Sequence, residues 1–542
     1  MLTPDQMSAL QDALEKIAEP VTDFIVRDVV RRISEAGKMT RTAEYQLKQA
    51  IWLKKSKKDI NTLLGKINAS ETIANTFSTA LEAAVAQDDI AKALEDDEDL
   101  QNILNAAVKL AQDDFTNITQ TLGLIDPFGN PRPLRDAYIS CTDYAFKKVL
   151  TGAQSYQQAV YEAANNLIDK GVRVIDYESG VHTSVDAAVR RNVFGGMGLM
   201  VEQVETHIHE ELGATGWELS AHEACALDHE PYQGRQYTNA EYEALNGTAE
   251  NPGTLKRRIG TLNCKHVAFP VMIGIQKPIY SEEQLKKMEE RNRKGITFEG
   301  KHYTMYEATQ MQRSLERAIR KQRRKIAALE EMDGQDEKLK AARIRYTQLT
   351  QKYKEFSKAA GLRTQDARTL VKEFGPKQEK VAWNEAEDNY QEWAKSMGVN
   401  SAIPTLDEYY DIKYNNLPLY ELLKGYITAI DKGDISPLVG FDQYELIDKE
   451  VTTKLHGLTT VDGVTIEKHC SHFIDRVIGQ TSESHPGMRT GVPIDDVKDI
   501  LLNANDIRTE QHPSGDIRRL YIGEKGKVSI SVRDKLLIQT NP

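Results

Sequence analysis

Ile517-Arg518-Arg519-Leu520-Tyr521-Ile522-Gly523, Val528-Ser529-Ile530-Ser531-Val532 and Leu536-Leu537-Ile538-Gln539-Thr540 follow one another near the end of the 542-residue sequence. Only Glu524-Lys525-Gly526-Lys527 and Arg533-Asp534-Lys535 separate them. Short runs rich in β-branched and apolar residues, bounded by charged turns, predict three strands. Val528, Ile530 and Val532 alternate with Ser529 and Ser531, which predicts one apolar and one hydroxyl-bearing face. Upstream, residues 493–501 predict a short helix with Pro493 in its first turn and Ile494, Val497, Ile500 and Leu501 inward. Before it, Ser471-His472-Phe473-Ile474-Asp475-Arg476-Val477-Ile478-Gly479 is amphipathic. Four residues advance a helix by about 400°, so His472 and Arg476 lie about 40° apart on one face. Helix, helix and antiparallel sheet predict a small α+β domain.

The rest of the chain is mostly helical in pattern. Thr3-Pro4-Asp5-Gln6 is a capping box with proline at the first helical position, followed by Met7, Leu10, Leu14, Ile17 and Val21 at helical spacing. Residues 126–133 are a dense turn cluster. Residues 217–225 and 266–275 are strand candidates, and 186–211 a long helix weakened by Gly195, Gly196 and Gly198. Ser281-Glu282-Glu283-Gln284 opens another helical stretch, and residues 400–404 read as a linker. The expected fold class is multidomain, mainly α with α+β. It comprises a helical N-terminal region (1–145), a mixed α/β central domain (146–278), a long helical section (279–400), and a helical spacer with a small α+β domain carrying an antiparallel sheet (401–542).

A net charge of −11 argues against a protein that coats nucleic acid over its whole surface. Residues 311–325 are the local exception, with seven basic residues against one acid. A solvated helix face is the first expectation there, and contact with DNA or an acidic protein ring the second. Four widely spaced cysteines are the usage of a reducing compartment. No window is apolar enough to span a membrane, and Met1-Leu2-Thr3-Pro4 begins no signal peptide.

His222-x-x-Cys225 and Cys264-x-His266 could supply four zinc ligands, although the second pair has only one intervening residue. The competing expectation is a buried polar network. In it, His222, Asn263 and His266 bond the irregular backbone around residues 232–260 and the cysteines act as apolar fillers.

Several motifs carry a family resemblance: Trp217-Glu218-Leu219-Ser220-Ala221-His222-Glu223-Ala224-Cys225, Tyr232-Gln233-Gly234-Arg235-Gln236-Tyr237, Gly260-Thr261-Leu262-Asn263-Cys264-Lys265-His266 and Tyr303-Thr304-Met305-Tyr306-Glu307. In this order they resemble the phage minor capsid protein 2 family, over roughly residues 1–375. The resemblance implies a structural virion component of head-morphogenesis type, with portal and major capsid proteins as partners. It implies residence in the phage head, and in host cytoplasm during assembly.

The final domain, through residues 471–479 and Ile538-Gln539-Thr540-Asn541-Pro542, resembles the phage-associated nucleases of the barnase–EndoU–colicin–RelE superfamily. That resemblance implies metal-independent cleavage of RNA through its own 2′-hydroxyl. His472 would move the proton, a role suited to an imidazole that titrates near neutrality. Arg476 with Arg518 or Arg519 would offset phosphorane charge, and Thr540 or Ser531 would hold a phosphate oxygen. His469, His485 and His512 are equal candidates for a second histidine. Two alternatives stay open: a purely structural virion protein whose last domain is an inactive binding module, and a free cytoplasmic toxin nuclease.

Overall fold

The computed structural model describes residues 3–85, 97–175, 182–248, 251–261, 264–396, 404–483, 485–512 and 515–542. Asn263 and most of the expected 400–404 linker lie outside the described residues. The chain forms two compact units, Met1–Thr297 with His302–Trp383, and Phe298–Lys301 with Asn384–Pro542. The protein is multidomain and mainly α, with α+β character.

The first unit begins with the predicted capping box. The Thr3 hydroxyl accepts from Gln6 N at 3.3 Å, and Gln6 Oε1 accepts from Thr3 N at 2.8 Å. Helix Glu19–Gly37 is buried on most of its faces and packs against helices Leu134–Leu150 and Tyr156–Lys170. The turn cluster forms a hairpin, Leu122–Ile125 with Pro131–Pro133. Buried Asp126 organises it, accepting from Phe128 N, Asn130 N and Arg132 Nε.

The long helix expected over 186–211 is a helix Val185–Val189, a π-helical turn Arg190–Phe194 and a helix Gly195–Glu211. Gly198 is there for a packing reason: a Cβ would run into the Gly260 carbonyl. Strand Gly216–Leu219 pairs antiparallel with Gln236–Thr238 on one side and Ala268–Val271 on the other, so the two predicted strands are neighbours. This three-stranded sheet holds the loops that carry the histidines and cysteines.

The basic run on helix Met305–Glu330 is not a solvated face. Arg320 is buried against Glu19 and Asp186, and Arg324 pairs with Asp23. Buried Arg323 pairs with the partly exposed Glu379 and lies 5.3 Å over the rings of Tyr346 and Phe374. Acids supplied by distant parts of the chain neutralise this side, while Arg317 and Lys321 stay exposed.

In the second unit, helices Leu417–Asp431 and Phe441–Leu455 precede helix Ser471–Ile478. The sheet runs Lys468–His469, Leu536–Asn541, Gly526–Ser531, Ile517–Gly523, Asp506–Gln511. Its first pair is parallel and the others antiparallel. The three predicted strands are present; Asp506–Gln511 is an additional, exposed edge strand whose charged residues hide it from an apolar pattern. Phe473, Val477, Val497, Leu501, Tyr521, Val528, Ile530 and Leu537 share one core. The hydroxyl-bearing face expected to meet a phosphate is not open: Ser529 and Ser531 are buried at 4% and 1% exposure, and the Ser531 hydroxyl is taken by Asp516.

Candidate functional site

Helix Ser471–Ile478 buries Phe473, Ile474, Asp475 and Val477, and ends at Gly479 with φ +78°. That leaves His472 and Arg476 partly exposed on the adjoining face. Arg476 Nε donates to His472 Nε2 at 3.3 Å, and Arg476 Nη1 donates to Asn541 Oδ1 at 3.3 Å. On the other side of the imidazole, Nδ1 lies 3.6 Å from Asp475 Oδ2. Tyr444 donates its hydroxyl hydrogen to Asp475 Oδ1 at 2.8 Å, with the Ser471 carbonyl 3.1 Å from the same hydroxyl oxygen. Arg489 Nη2 donates to the Asp434 carbonyl at 2.7 Å and stands 3.7 Å from its carboxylate. Asp434, His472 and Asp475 bring ligand atoms within 4.8 Å of one another. Burial raises the Asp475 carboxyl to about 6. Burial, helped by the Arg476 charge, lowers His472. The imidazole is therefore neutral near pH 7, with a lone pair at the nitrogen that Arg476 contacts.

The other residues expected here have separate partners. Thr540 is buried and donates to the Lys527 carbonyl at 3.0 Å. Ser531 donates to Asp516 Oδ1 at 2.8 Å, and Arg518 pairs with the same Asp516 at 3.2 Å. Arg519 pairs with Asp462, which also accepts from Tyr521. The last strand reaches the His472 face through Asn541. Of the second-histidine candidates, His469 sits between Asp448 and His456, at 2.9 Å from each. His485 packs over Gly433, next in sequence to Asp434. Asp434, Tyr444 and Arg489 were not legible as site residues, since each arrives from a different segment. Asp475 stood in the quoted motif, three residues from His472.

A second cluster lies in the first unit. A turn that begins directly after Cys225 carries His229, with Glu230 N donating to the Ala226 carbonyl at 3.0 Å. Asn292 pins that turn by donating to the Cys225 carbonyl at 3.0 Å. The chain between the strands brings back Cys264 and His266, so all four expected ligands meet. Cys225 Sγ is 3.5 Å from His266 Nε2. His222 stacks on His266 with ring centroids 4.5 Å apart. His229 joins them, although sequence spacing had not selected it; its signal was Cys225-x-x-x-His229. Burial lowers all three imidazoles, His222 to about 4, and raises both thiols. The polar network anticipated around His222 and His266 runs instead through Gln233 and the Arg257 carbonyl.

The helical framework that holds this loop cluster is the part of the chain that a protein-family model matches. The family model for phage minor capsid protein 2 matches residues 2–358, and the chain belongs to that family. No curated protein and no solved structure matches it. No helix among the described residues is long and apolar enough to cross a membrane.

Proposed function

We propose that this minor capsid protein is a virion component near the portal, and that its second unit cleaves RNA. The observation that carries the nuclease reading is His472 held between Asp475 and Arg476 on a partly exposed face, with Arg489 beside Asp434. A phosphate arriving there would draw Arg476 off the imidazole, because a guanidinium bonds an oxyanion more strongly than a neutral ring nitrogen. The freed Nε2 lone pair then takes the 2′-hydroxyl proton. The 2′-oxygen attacks phosphorus, the bond to the 5′-oxygen breaks, and that oxygen leaves with a proton from water. Asp475 stabilises the imidazolium through Nδ1, and Arg476 and Arg489 offset the phosphorane charge. Asn541, rather than Thr540, is the last-strand side chain placed to contact the phosphate.

The test is the full-length chain with total RNA in EDTA, beside His472→Ala. Cleavage by the parent alone supports the reading, and identical RNA profiles end it. The inward hydroxyls of Thr540 and Ser531 favour one competing reading, in which the unit is a binding module. Co-purification with particles, and cross-links to the portal ring, test the structural role; recovery only from particle-free host cytoplasm would favour a free toxin.

A further inference from the structure

The His/Cys cluster of the first unit has more lone pairs than its hydrogens can satisfy. The Arg257 carbonyl can only accept, so His229 Nε2, at 2.8 Å, carries the ring hydrogen and Nδ1 is a lone pair. That Nδ1 lies 3.3 Å from Cys264 Sγ. Gln233 Oε1 accepts from the His222 backbone N at 3.0 Å and from His266 Nε2 at 3.1 Å. Nδ1 of His266 is therefore a second lone pair, 3.4 Å from the same sulfur. The sulfur also takes the His266 backbone N–H at 3.4 Å. A thiol has one hydrogen and cannot serve two imidazole lone pairs. A cation among these three atoms would satisfy all of them.

The distances match a known geometry. Sulfur and nitrogen bound to one tetrahedral zinc, at about 2.3 and 2.0 Å, are about 3.5 Å apart. The observed sulfur–nitrogen separations of 3.3 and 3.4 Å are of that size. Cys225 stands just before the turn that carries His229, and its Sγ lies 3.5 Å from the other ring nitrogen of His266, Nε2. We propose that His229, Cys264 and His266 bind a zinc ion, with Cys225 turning its thiol to become the fourth ligand. Two thiolates and two neutral imidazoles cancel the charge of zinc, which a buried site requires. Both thiol protons are released on binding. His222, stacked on His266, closes the site against water. The ion would tie the turn after strand Gly216–Leu219 to the segment entering strand Ala268–Val271. It is structural, and independent of the nuclease reading.

The test uses the untagged full-length chain, purified with trace zinc and passed through EDTA, with metal content measured by mass spectrometry. About one zinc per chain is expected, and cobalt substitution should give tetrahedral bands with thiolate charge transfer. Cys264→Ser and Cys225→Ser should lose the metal while His222→Ala keeps it. Circular dichroism of each variant establishes that it is folded. Strong chelation should lower the melting temperature of the parent and leave Cys264→Ser unchanged. No zinc above buffer level in the folded parent, or zinc undiminished in Cys264→Ser, would overturn the site. Retention in Cys225→Ser with loss in His222→Ala would overturn the ligand assignment.

Discussion

Arg476 and His472, one helical turn apart, are hydrogen-bonded to each other, the guanidinium Nε donating to the imidazole Nε2 at 3.3 Å. In the proposed reaction the pair would hold the nitrogen that acts as base and would release it when a phosphate competes for the arginine. His472→Ala should lower RNA cleavage by about 10²–10⁴-fold while leaving the melting temperature nearly unchanged. Arg476→Lys should lose at least about tenfold, since an ammonium lacks the planar fork that grips phosphate. Single-turnover cleavage of a short RNA measures both. Parent-like rates in either variant would contradict the assignment.

Asp475 should make the second unit respond to pH. Burial raises its carboxyl from 3.8 to about 6, so folding favours the protonated form. The stability it contributes is fully present below about 3.8 and is lost as pH rises through about 6. Asp475→Asn keeps an acceptor for Tyr444 and removes the titration. Between about pH 4 and pH 7 the stability difference between variant and parent should shift by on the order of 2–3 kcal/mol in the variant's favour. Urea unfolding monitored by NMR signals of the second unit reads it, and parallel pH curves would exclude it.

Gly198→Ala should destabilise the first unit despite alanine's better helix propensity. The gain is about 1 kcal/mol, whereas the new methyl meets the Gly260 carbonyl, backbone that cannot step aside cheaply. A net loss of about 1–2 kcal/mol is expected, measured as the thermal midpoint of the first unit. A raised midpoint would show that the loop relaxes freely.

Arg320→Met should be more costly than a surface substitution. It strands the carboxylates of Glu19 and Asp186, both largely buried. Removing one partner from a buried ion cluster costs about 3–5 kcal/mol. Adding Glu19→Gln and Asp186→Asn should recover much of the loss, and denaturant midpoints of the single and triple variants test this.

Much of the architecture was legible because it is local. Capping boxes at Thr3 and Ser281, proline near the start of the Ile494–Leu502 helix and the alternation in Gly526–Ser531 are settled by neighbours a few residues apart. The His472–Arg476 pair is local in the same sense. Asp506–Gln511 was missed because an exposed edge strand needs no apolar run.

Residue order alone therefore determined most of the elements, the α+β end and the two motif clusters, since helical and strand periodicities repeat within a few residues. Which groups meet was decided by tertiary structure. The basic run looked solvated until Glu19, Asp23 and Asp186 arrived to bury it. His229 met Cys264 only when its turn folded against the Cys264–His266 segment. Thr540 is the sharpest case. In a regular strand it would face away from Leu537, three residues before it. The register shift opposite Ser529 and Ile530 puts Leu537 across from Ile530 and Thr540 across from Val528, on the same core side. One extra residue in a strand exchanges its faces, and only the pairing partner shows where that residue sits.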